Sequence, residues 1–129
     1  MKLVIGGAAQ GKLRHALRLA GEAARVTDGA DVDMELQALR EADVLDRFHL
    51  LVRRVCEADG DAEALARCVL AINPALIVVA DEVGMGVVPM DAFERRWREA
   101  VGRALCVLAA AAESVDRVTA GIPVRIKGA

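Results

Sequence analysis

A chain of 129 residues, more than half of them apolar, can bury enough surface for one domain with a single core, spanning residues 1–129. The net charge is −2 and the aromatic set is Phe48, Phe93 and Trp97. A slightly acidic protein without stacking platforms is not a nonspecific nucleic-acid binder. Cys56, Cys68 and Cys106 are widely spaced and form no CxxC pair, which predicts reduced core thiols in a cytoplasmic protein rather than a disulfide frame or a zinc site. No uncharged run reaches the ~18 residues of a membrane helix, and KLVIG opens the chain without the charged start of a secretory signal. The expectation is a soluble, cytoplasmic protein away from membranes.

Residues 2–5 form a short apolar strand that runs into Gly6-Gly7-Ala8-Ala9-Gln10-Gly11-Lys12-Leu13. This is the G-x-x-x-x-G-K frame of a phosphate-binding loop, set between a strand and a helix. Glycines let consecutive backbone N–H groups face inward, the helix N-terminus adds positive potential, and Lys12 supplies a mobile charge to outer phosphates. The apolar stripe Leu13, Ala16, Leu17, Ala20 and Ala24 predicts the following helix over residues 13–25. One member of the motif is replaced: the position after the lysine should carry a hydroxyl that helps hold Mg²⁺, and Leu13 stands there. A tight strand-to-helix turn without a ligand is the alternative reading of the same segment.

Residues 26–31 are polar and turn-rich around Gly29. Residues 31–42 read as a helix whose first turn, with Asp31, Asp33 and Glu35, suits the helix dipole. A brief apolar piece, residues 42–45, leads to Asp46. The spacing of Phe48, Leu51, Val52 and Val55 then predicts an amphipathic helix with Arg47, Arg53 and Arg54 toward its other side. His49 lies at that helix start and reads either as a surface or packing residue or as a catalytic group. Asp59-Gly60-Asp61 is a turn, Asp61 caps a helix over residues 62–72, and Asn73-Pro74 ends it.

Residues 75–80 are an unbroken, β-branched apolar run, the pattern of a parallel strand covered on both faces. The run ends in Asp81 and Glu82, then Gly84, Gly86 and Pro89. Acids and a glycine-shaped loop at the carboxyl end of a buried strand mark the place where open α/β sheets bind ligands. Asp91 and Glu94 form an acidic capping box for a helix to about residue 113, with Phe93, Trp97, Val101, Leu105 and Leu108 as its buried stripe. Arg95, Arg96, Arg98, Glu99 and Arg103 make its other face, from which one or two arginines could reach an anion at the loop. Residues 114–119 and AGIPVRIK complete the chain as strands, with Pro123 suited to an edge or to the strand's entry rather than to a central ladder. The expected fold is α/β, a small, mainly parallel sheet with helices on both faces.

GGAAQGK, DEVGMGVVP, ERRWREAVGR and VTAGIPVRIK resemble, in this order, segments of the adenosylcobinamide kinase/adenosylcobinamide-phosphate guanylyltransferase family of cobalamin biosynthesis. The resemblance covers residues 74–127 and the phosphate loop. It implies a P-loop nucleotide-binding fold, GTP or ATP as donor, Mg²⁺, and a corrinoid whose side-chain hydroxyl is phosphorylated and then receives GMP through a guanylylated histidine. By the same likeness, residues 6–13 hold the triphosphate. Asp46, in Val44-Leu45-Asp46-Arg47-Phe48, resembles the metal-facing acid of the family's V-D-C-L segment. Asp81, Glu82, Gly84 and Gly86 shape a loop near the substrate.

Two departures accompany Leu13. Only about thirty residues separate the phosphate loop from Asp46, and the H-R-x-x-R-P segment with the acceptor histidine has no counterpart. His15 and His49 lie outside that motif. His49 follows Asp46 by about one helical turn, so both could face the phosphate loop, with Arg47, Arg53 and Arg54 near enough in sequence to neutralise a phosphate. The catalytic candidates are therefore Lys12, Asp46 and His49. A nucleotide-binding partner or regulator that has lost catalysis is the alternative, and a small sheet with exposed helix faces predicts a homo-oligomer.

Overall fold

The computed structural model describes residues 1–83 and 91–129. Strands β1 (Lys2–Gly6), β2 (Val26–Asp28), β3 (Val44–Asp46), β4 (Ile77–Asp81), β5 (Ser114–Thr119) and β6 (Ile122–Lys127) alternate with helices α1 (Lys12–Ala20), α2 (Phe48–Glu57), α3 (Ala62–Ile72) and α4 (Ala92–Ala111). One sheet is built in the order β2-β3-β4-β1-β5-β6. Every pairing is parallel except the hairpin β5–β6. The result is an α/β fold with a mostly parallel sheet.

Because side chains alternate along a strand, each central strand feeds both faces. Val4, Val44, Ile77, Val79 and Val118 pack with Ala16 of α1, joined by Leu13, Leu19, Ala20 and Ala24. Leu3, Leu45, Val78, Ala80 and Val115 turn to the other face, where α2, α3 and α4 bury Phe48, Leu51, Val52, Leu65, Val69, Val101 and Leu108. Pro123 sits on the outer strand β6, opposite Val118, where no further ladder needs its missing N–H. Asp61 and Asp91 cap α3 and α4 with their carboxylates. No helix among the described residues is long and apolar enough to cross a membrane.

Several expectations are corrected. Residues 31–42 are not a helix: they contain one 3₁₀ turn, Gln37–Arg40, entered through Leu36 at φ 60°. Their acidic start does cap, since Asp33 accepts the Gln37 N–H at 2.9 Å, but the segment bends back so that Val32, Leu36, Leu39 and Ala42 are buried. Residues 26–28 are a strand rather than a turn. Helix α1 stops at Ala20 because Gly21 takes φ 103°, a conformation that favours glycine. On α4, Val101, Ala104 and Leu108 are buried, whereas Phe93, Trp97 and Leu105 keep part of their surface. All three cysteines are free, and Cys68 and Cys106 are exposed rather than in the core.

Asn73 fastens the irregular segment to the α3–β4 junction. Its amide donates to the Leu39 and Ala42 carbonyls, both at 2.9 Å, and its oxygen accepts the Ala75 N–H at 3.1 Å. Replacing Asn73 with Ala removes all three of these hydrogen bonds at once, so Asn73→Ala should cost about 1–3 kcal/mol. Urea unfolding checks this, with an unchanged slope m expected for a purely native-state loss.

Candidate functional site

Parallel pairing of β1 with β4 places Gly6 opposite Asp81, so the chain enters the glycine-rich loop of residues 6–12 beside the acids that end β4. The Glu82 N–H donates to the Gly6 carbonyl at 2.8 Å. A Cβ on Gly6 would lie 2.5 Å from the Val118 carbonyl oxygen, so only glycine lets β5 approach this closely. Residues 7–11 then curl into α1, with Gly11 in the left-handed region at its N-cap and Ala9 also at positive φ. Gln10 ties the loop to the β5–β6 turn: its side-chain oxygen accepts the Ala120 N–H at 2.6 Å, and its carbonyl accepts the Gly121 N–H at 2.9 Å.

Lys12 is 7% exposed. Its ammonium donates to the Gly7 carbonyl at 2.5 Å and pairs with Asp81 Oδ1 at 2.7 Å. The side chain is thus folded back over its own loop. A cavity of about 420 Å³ opens there, lined among others by Gly11, Lys12, Leu13, Arg14, Arg18, Asp46, Asp81 and Gly121. Asp46 reaches it from the end of β3. Burial is the main cause that raises its carboxyl pKa, with the charge of Asp28 adding to it, against the Arg47 N–H. Asp28 stands opposite Asp46 in register, and the Arg47 guanidinium that grips it, with Nε at 3.0 Å, lowers the pKa of the Asp28 carboxyl.

His49 is buried beneath the same corner. Its Nδ1 accepts the Asp81 N–H at 3.0 Å, and its Nε2 lies 3.5 Å from Asp81 Oδ2. Accepting at Nδ1 puts the proton of the neutral ring on Nε2. Both nitrogens therefore face Asp81, and the Trp97 indole holds the His49 carbonyl at 2.8 Å. The arginines expected to gather at a phosphate are committed elsewhere: Arg47 to Asp28, Arg53 to Glu94 at 2.9 Å beneath Phe93 and Trp97, and Arg54 to the Gly29 carbonyl at 3.1 Å. On α4, Arg96 pairs with Asp59 and Arg103 with Glu99. Glu82 is gripped by Arg117 of β5 at 2.9 and 2.6 Å. Gly84, Gly86 and Pro89 lie outside the described residues.

Lys12, Asp46 and Asp81 thus share one cavity, with His49 behind Asp81. Arg14 and Arg18 were not singled out in the sequence, although their spacing of one helical turn beside the loop lysine was a readable signal. Gly121 was hidden, because only the β5–β6 hairpin brings it there. The residues present do not fit the metal of an ordinary phosphate loop. That metal takes a hydroxyl from the position after the lysine, and Leu13 instead joins the apolar cluster under α1. Among the described residues, no three His, Cys, Asp or Glu side chains gather as ligands.

A family model described as cobinamide kinase / cobinamide phosphate guanyltransferase matches residues 37–126. The bifunctional adenosylcobalamin biosynthesis protein CobP of Pseudomonas aeruginosa is 36% identical over 70 residues, 54% of this chain and 40% of that protein. The bifunctional adenosylcobalamin biosynthesis proteins CobU of Salmonella typhimurium and Escherichia coli are each 46% identical over 52 residues, 40% of this chain and 29% of theirs. The matched stretch spans less than half the length of each relative, and the glycine-rich loop of residues 6–12 precedes the residues that the family model covers.

Burial is the main cause that holds the His49 pKa below its ordinary 6.5, against the opposing Asp81 carboxylate. The ring stays neutral in the folded chain but protonates when unfolded, so the unfolded state takes up more protons below 6.5. Stability should be full above that value, fall as the pH drops through it, and level off below the folded pKa. Melting curves from about pH 7.5 to about pH 5 should show this loss relative to His49→Gln, which does not titrate there.

Proposed function

The chain belongs to the cobinamide kinase / cobinamide phosphate guanyltransferase family, and from that premise we propose that it transfers the terminal phosphoryl group of GTP or ATP to a corrinoid hydroxyl. The observation that carries this reading is the buried Lys12, folded onto Gly7 and Asp81 at the head of a cavity that also takes in Asp46. Phosphoryl transfer asks a protein mainly for positioning and charge neutralisation. The backbone N–H groups of residues 7–12 and the N-terminus of α1 cradle the phosphates. Lys12 leaves Asp81 for the terminal phosphate.

The attacking hydroxyl oxygen bonds to the terminal phosphorus as the bridging oxygen leaves with the nucleoside diphosphate. Asp46 accepts the hydroxyl proton. A carboxylate with a raised pKa is the better acceptor, because proton transfer improves as acceptor and operating pH approach each other. Guanylyl transfer has less support. An acceptor histidine needs a free ring nitrogen, and both nitrogens of His49 are turned to Asp81.

The experiment incubates the protein with GTP or ATP and cobinamide and separates the corrinoid products. Corrinoid phosphate and nucleoside diphosphate are expected in equal amounts, without a GDP-corrinoid. Lys12→Ala should lower kcat/KM by ~100-fold or more, and Asp46→Asn should lower kcat by ~100-fold with little change in nucleotide affinity. Bound nucleotide without any corrinoid phosphate would overturn the kinase reading. A GDP-corrinoid that persists in His49→Gln would place the guanylyl acceptor elsewhere.

A further inference from the structure

Resting on that phosphate-loop reading, we propose that this pocket balances the charge of its polyphosphate with Arg14 and Arg18 of α1, so that binding does not require a divalent cation. Three observations converge. Leu13 removes the hydroxyl through which a phosphate loop holds its metal, and of the two carboxylates that line the cavity, Asp46 and Asp81, the second is paired with Lys12 before any ligand enters. Arg14 and Arg18 line the same cavity as Gly11 and Lys12. Among the described residues neither makes an ion pair, whereas Arg47, Arg53, Arg96, Arg117 and Arg125 each hold a carboxylate.

The third observation is energetic. Helix α1 has no acid in its first turn and begins instead with Lys12 and Arg14. Cations at a helix N-terminus oppose the dipole, and an anion seated against them relieves that opposition. Lys12, Arg14 and Arg18 supply three positive charges along one wall, against the roughly four negative charges of a nucleoside triphosphate. A guanidinium pairs with phosphate through a fixed fork of donors, the bidentate geometry that makes arginine a strong phosphate ligand. This arrangement makes the pocket selective for chains of phosphates over a single phosphate, since Arg14 and Arg18 continue the cationic lining two and six residues beyond the lysine.

The test is calorimetric titration of GTP and of inorganic tripolyphosphate, each in EDTA and in Mg²⁺. The wild-type Kd should differ by less than ~3-fold between the two conditions. Arg14→Ala and Arg18→Ala should each weaken binding ~10-fold in EDTA, and the double variant ~100-fold, with part of the loss recovered by Mg²⁺. Both side chains are exposed, so unchanged melting temperatures are expected and would assign the losses to binding. Wild-type affinity that collapses in EDTA, or a double variant that binds as wild type does, would overturn the inference while leaving the phosphate loop in place. Failure of the wild type to bind polyphosphate in either condition, or equal binding by Lys12→Ala, would remove the phosphate-loop reading and this inference together.

Discussion

The site depends on one register. Pairing β1 with β4 sets Gly6 level with Asp81, and the bond from the Glu82 N–H to the Gly6 carbonyl extends that pairing by a residue. At this level the chain of β1 must turn away into α1, and the first side chain that can reach back across β4 is Lys12. Its bond to Asp81 at 2.7 Å is therefore a consequence of sheet order. A one-residue slip would send Asp81 to the opposite face, away from α1, and would leave a nearly buried ammonium with only the Gly7 carbonyl. An uncompensated buried charge of that kind is among the costlier defects in a fold.

Three acids end three strands of the sheet: Asp28 on β2, Asp46 on β3 and Asp81 on β4. Like charges gathered at one edge would repel, and the structure separates them by environment. Asp28 is gripped by Arg47, so its pKa falls. Asp46 is pushed the other way, chiefly by burial. Asp81 has an ammonium on one oxygen and an imidazole near the other. Pairs of titratable groups driven apart in this manner are how one cleft holds both a proton acceptor and fixed charges. Arg47 accepts a left-handed backbone, φ 52°, at the junction where it serves Asp28. That is the sort of local strain that persists when surrounding contacts over-determine it.

Much of this architecture is legible in the residues. The strand–loop–helix at the start, the capped helices α3 and α4, the buried run of β4 and the edge strand with Pro123 all follow local rules, and those rules agree with the tertiary outcome. Residues 31–42 show where such rules stop. Val32, Leu36 and Leu39 recur at helical spacing and are all buried, yet Leu36 at φ 60° breaks the helix. Periodicity reports which side of a segment faces the core. Whether a helix or a bent chain presents that side is decided by distant partners, here the Asn73 amide. Strand β2 was missed for a related reason: three residues carry too short an alternation to read, and their pairing with β3 is a long-range event. His49 was legible as a packing residue or a catalytic group, but its bond to the Asp81 backbone joins residues 32 positions apart and has no local signal.

The two faces of the sheet divide their work unequally, and this gives Leu13 a physical account. Three helices cover one face with a broad apolar core that includes Phe48, Leu51, Leu76 and Leu108. The other face has a single helix, α1, and only a small cluster around Val4, Val44 and Val79. Every residue that points into the cavity stands on or beside this thin side, so α1 must both present cations to solvent and cover the strands beneath it. A hydroxyl at position 13 would serve a metal but would add nothing to that cover. A leucine side chain buried there contributes up to about 1.5–3 kcal/mol of apolar transfer, less what its partial exposure forgoes. Where the helix is short and its face carries Arg14 and Arg18 outward, the apolar contact is the stronger local demand. The charge that the lost hydroxyl would have helped recruit is then supplied by the helix itself.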